Sequence, residues 1–84
     1  MDAYASVQIL TSPYIEVSAI LVTPQFDQTN ALIARFTSRK TDHDTLAFAV
    51  WVVNEACKRH GLEAIPVPLA SELWQQLLSE GVRA

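Results

Sequence analysis

Two short stretches hold the residue types that do chemistry. Asp42, His43 and Asp44 are consecutive, and Cys57 and His60 stand three apart. A cysteine and a histidine at that spacing can share a metal ion on one helix face. Two ligands leave such a site incomplete, and the sequence holds no second Cys/His pair. His43 would lie about four helical turns from Cys57. The same residues have a structural reading: capping carboxylates, a solvent-facing His43, a buried cysteine, and a terminal histidine suited to the negative end of a helix dipole. No metal site and no cofactor are expected.

A nucleophilic Cys57 would need a base and an oxyanion site. His60 is near enough to serve as the base. However, Cys57 lies late in the expected helix, where the negative dipole end raises a thiol pKa. The two glycines, Gly61 and Gly81, both sit where helices should stop, so neither builds a phosphate-cradling loop. The expectation is a chain that is not an enzyme.

Arg35, Arg39 and Lys40 form a basic cluster, and Lys58 with Arg59 forms another. Nine acids against six bases leave a net charge of −3. That balance disfavours a dedicated nucleic-acid binder, whose affinity comes mainly from phosphate neutralisation. A weak nucleic-acid contact through Arg35, Arg39 and Lys40 is the alternative reading. The other is solvated charge with local pairing, such as Glu55 to Arg59.

The elements that must position these residues follow from periodicity. Ala3, Ala5, Val7 and Ile9 alternate with Tyr4, Ser6 and Gln8, a strand period set against alanine's preference for helix. Ser12-Pro13 breaks the run. Residues 14–23, YIEVSAILVT, carry the strongest strand signal, with Ile15, Val17, Ala19 and Leu21 on one face. The other face begins polar and ends in Ile20 and Val22, so the far end should be covered on both sides. Residues 24–30 read as a loop. Residues 31–38 alternate again, with Leu32, Ala34 and Phe36 opposite Ile33, Arg35 and Thr37. A hairpin with the preceding strand follows.

Thr41 and Asp44 resemble a capping arrangement at the start of a helix running to about His60. Gly61 should end that helix in a left-handed conformation, with Leu62 folding back on the last turn. Residues 62–68 are extended or irregular because of two prolines, although Ile65 and Val67 could form a short edge strand. A second helix is expected from Pro68 or Leu69 to Glu80, stopped by Gly81. The fold class is therefore α+β (β-β-β-α-α): one domain over residues 1–84, with a small antiparallel sheet of two or three strands and both helices on one sheet face.

The first helix carries more grease than one face needs. LAFAVWVV, residues 46–53, is an unbroken apolar run. Leu46, Ala49, Val50, Val53, Ala56, Cys57 and His60 make one stripe; Ala47, Phe48, Trp51 and Val52 make a second. The sheet can cover one stripe. The second helix could cover the other through Leu69, Leu73, Trp74, Leu77 and Leu78. Otherwise an apolar surface remains for a partner, with Phe48, Trp51, Val52, Trp74 and Leu78 as its anchors.

Composition favours that second outcome. Of 84 residues, 50% are hydrophobic and only 18% charged, on a chain small enough to have proportionally much surface. A single cysteine forms no internal disulfide, and no secretory signal or membrane-spanning run is visible, which points to a reducing, cytoplasmic setting. The expected function is a small protein-interaction domain, self-associating as a homo-oligomer, that serves as adaptor, assembly subunit or inhibitor by covering a partner's surface. Small acidic inhibitors of host complexes from phages and mobile elements have this character.

Overall fold

The computed structural model describes residues 3–23, 31–67 and Ser79. Four strands and one helix lie in this portion: β1 (Tyr4–Leu10), β2 (Ile15–Val22), β3 (Leu32–Ser38), α1 (His43–Arg59) and β4 (Ala64–Pro66). The strands form one mixed sheet in the order β3-β2-β1-β4.

The antiparallel sheet of two or three strands is thus corrected to four strands, one of them parallel. β1 and β2 pair antiparallel through Val7↔Ala19 and Ile9↔Val17, so the alternation in the first segment is that of a strand. β2 and β3 pair antiparallel through Val17↔Phe36 and Ala19↔Ala34, which makes the expected hairpin. β4 then adds in parallel to the free edge of β1, with Ser6↔Ile65 and Val7↔Pro66. The second helix expected from Pro68 or Leu69 to Glu80 lies outside the described residues apart from Ser79. Among the described residues α1 is the only helical element of any length, against the two helices expected.

Proline tolerates this edge for a geometric reason. Ala5 N–H donates to the Glu63 carbonyl at 2.8 Å, and Val67 N–H donates to the Val7 carbonyl at 2.8 Å. Glu63 and Val67 therefore aim their backbone groups at β1. Successive residues of a strand aim alternately, so Pro66 faces the open edge, where its missing N–H breaks no ladder bond.

A bulge between β2 and β3 changes the face assignment of the third strand. The register steps from Ala19↔Ala34 to Ile20↔Leu32 and leaves Ile33 as the extra residue. Ile33 and Ala34 consequently both pack against the core, and Leu32 is 51% exposed. Simple alternation puts Leu32 with Ala34 and Ile33 opposite; the inserted residue reverses both.

The core lies between one sheet face and α1. Ala5, Val7, Ile15, Val17 and Ala19 from the sheet meet Leu46, Ala49, Val50, Val53 and Cys57 from the helix, all fully or almost fully buried. Ala56 is only partly buried and His60 is exposed, so the core stripe ends at Cys57. At the far end of β2, Ile20 and Val22 are partly buried rather than sealed on both sides.

The ends of α1 explain its length. Asp42, not Thr41, is the N-cap: its carboxylate accepts the Thr45 N–H at 2.8 Å. At the other end Gly61 adopts φ +68°. Gly61 N–H donates to the Lys58 carbonyl at 2.9 Å and Leu62 N–H to the Cys57 carbonyl at 3.0 Å. Those two bonds make a Schellman cap, and Leu62 packs back against the core as its hydrophobic partner.

Candidate interaction surface

The core stripe of α1 turns toward the sheet, so the second stripe must turn away. Residues two apart on a helix differ by about 200° in direction. Leu46 faces the core and Phe48 does not. Phe48 is 53% exposed and Trp51, one turn on, is 58% exposed. Ala47 and Val52 flank them and are partly buried.

These rings are held in place by one another and by the edge strand. The Phe48 and Trp51 centroids are 6.0 Å apart with an interplanar angle of 33°. Phe36 of β3 meets Phe48 edge-on, at 5.6 Å and 75°. Such pairs contribute about 0.5–1.5 kcal/mol beyond their burial, so the exposed rings are pre-positioned rather than loose. Phe36 joins the surface because β3 is the sheet edge, and its ring reaches the side of the helix. Along the chain the signal was only an aromatic residue within the alternating stretch 31–38.

Beside Trp51 the surface dips. Trp51, Val52, Glu55, Ala56 and Arg59 line a recess of about 220 Å³. Glu55 pairs with Lys58 at 3.1 Å, one residue earlier than the expected partner Arg59. The rim of the aromatic stripe thus carries acid at the helix start, through the fully exposed Asp44 side chain, and base at the helix end, through Lys58 and Arg59. Each sign suits the local helix dipole.

Of the five expected anchors, Phe48, Trp51 and Val52 are brought together on this face. Trp74 and Leu78 lie outside the described residues.

Arg35 lies on β3, and Arg39 and Lys40 follow its end. Arg35 pairs in register with Ser18 on the sheet face away from α1. Arg39 shares an open groove of about 460 Å³ with Tyr14, Glu16, Thr37 and Ser38. Lys40 lies close enough to Asp42 to help lower its carboxyl pKa. All three bases are exposed, but Glu16 and Asp42 interrupt their field. Glu16 and Thr37, two of its lining residues, are register partners across β2 and β3.

The cysteine and histidines do not converge. Cys57 is fully buried, and burial pushes its thiol pKa up. The direction matches the helix-end argument, but the leading cause is desolvation. His60 caps the helix in solvent, and His43 Nδ1 lies 3.3 Å from Asp44 Oδ1 at the opposite end. Among the described residues no group of three or more His, Cys, Asp or Glu is placed to hold a metal ion. Among them, too, no helix is long and apolar enough to cross a membrane.

No protein-family model, curated protein or solved structure matches the chain.

Proposed function

We propose that this chain is a non-enzymatic protein-interaction domain that works by covering a partner's surface with the Phe48–Trp51 face of α1. The observation that carries this reading is the pair of large aromatic side chains, each more than half exposed, on a helix whose opposite stripe is sealed. Leaving that much aromatic surface in water opposes solubility, and a small domain has little burial to spare. Tryptophan in a pre-positioned cluster beside a recess has the character of a binding anchor. A polar rim of Asp44, Glu55, Lys58 and Arg59 surrounds the apolar centre, as interfaces require. The buried Cys57 thiol, with its raised pKa, supports a packing role for that residue rather than a catalytic one. Adaptor, assembly subunit and inhibitor are all modes of this one activity.

A photo-crosslinking amino acid placed at position 48 in the native cell tests it. Covalent protein adducts are expected from position 48 and not from position 8, which is exposed on the opposite sheet face. Adducts absent at 48, or equal at both positions, would overturn the reading.

A further inference from the structure

Resting on that reading, we infer that the occupant of the Phe48–Trp51 face is a second copy of this chain, docked with its helix antiparallel about a two-fold axis between Trp51 and Val52.

The order of features along α1 carries the inference. Phe48 lies as far before that axis as Glu55 lies after it. In the antiparallel pair the Phe48 ring of one copy therefore meets the recess of the other, whose lining is centred on Glu55. The recess, at about 220 Å³, has room for a phenyl ring, and Trp51 forms one of its walls. Asp44 lies as far before the axis as Arg59 lies after it. The fully exposed Asp44 carboxylate of each copy thus faces the exposed Arg59 of the other, twice over. Antiparallel helices also set opposite dipole ends side by side. A parallel pair would place Asp44 on Asp44 and Arg59 on Arg59, and would leave each ring facing its own counterpart instead of the recess. The same side chains thus complement themselves in one orientation and oppose themselves in the other.

Sedimentation of the full chain across the micromolar to millimolar range, with helicity followed by circular dichroism, decides the matter. The unaltered chain should dimerise. Asp44→Lys and Arg59→Asp should each weaken the dimer by on the order of tenfold, because two attractive contacts become repulsive. The double variant Asp44→Lys/Arg59→Asp should restore it, since the reversed charges again face each other. Trp51→Glu should abolish it. A chain that stays monomeric throughout overturns the inference. So does a dimer lost with Trp51→Glu yet unmoved by either charge reversal, since the helices are then not antiparallel. Adducts from position 48 to a different protein, with the purified chain monomeric, would end the second-copy assignment and leave the interaction reading standing. No adducts at all would end that reading itself.

Discussion

Leu46 and Phe48 stand two residues apart on one helix and occupy opposite environments: Leu46 is fully buried under the sheet, and Phe48 is 53% exposed beside Trp51. The relationship separates what holds the domain together from what it presents.

Leu46→Ala should cost about 2–5 kcal/mol of unfolding free energy, because it leaves a cavity in the core cluster that Leu46 shares with Val17 and Val50. Phe48→Ala should cost less than about 1.5 kcal/mol, mainly the ring contacts with Phe36 and Trp51. Urea denaturation at a protein concentration low enough to keep the chain monomeric checks both. A Phe48 cost equal to the Leu46 cost would show that the aromatic face is part of the core.

Gly61→Ala should destabilise the domain by about 1–2 kcal/mol, the cost of an L-residue in the left-handed region. A Cβ at position 61 would meet nothing within 4 Å, so the loss comes from the backbone and not from a clash. Gly61→Asn should cost less, since asparagine enters that region more readily. Thermal melts of the two variants check the order.

Asp42 ties stability to acid pH. The Thr45 N–H, bonded to its carboxylate, holds its pKa below the ordinary 3.8. A carboxyl whose pKa is lower folded than unfolded stabilises fully above the unfolded value, and that contribution is lost as pH falls through the folded value. Asp42→Asn keeps a capping oxygen at every pH. The melting temperature of the unaltered chain should thus fall toward, or below, that of Asp42→Asn as pH drops past about 3.8. The gap should be flat at neutral pH. A constant gap down to strongly acid pH would mean the cap carries no ionised carboxylate.

Much of the described fold was legible because it is local. The helix is written in the spacing of Leu46, Ala49, Val50, Val53 and Cys57, in the acids at its start and in Gly61 at its end, and all of these act within a turn or two of chain. The strand alternation of Val7, Val17 and Ala19 is equally local. The cap moved by one residue, from Thr41 to Asp42, because several neighbouring side chains could serve and only backbone geometry selects among them.

The remaining features involve partners far apart along the chain. Ile65 and Val67 mark a possible short edge strand but not its partner; residues 64–66 become β4 alongside β1, some sixty residues earlier, and in parallel. The bulge at Ile33 comes from fitting β3 to β2, and no alternation announces it. The surface beside the helix is the same kind of result. The residue order along α1 places two apolar stripes on it. Which stripe the sheet would take, and that Phe36 would arrive from an edge strand to brace Phe48, depended on the sheet's order and register, because hydrophobicity says that a side chain seeks cover but not which distant surface will provide it.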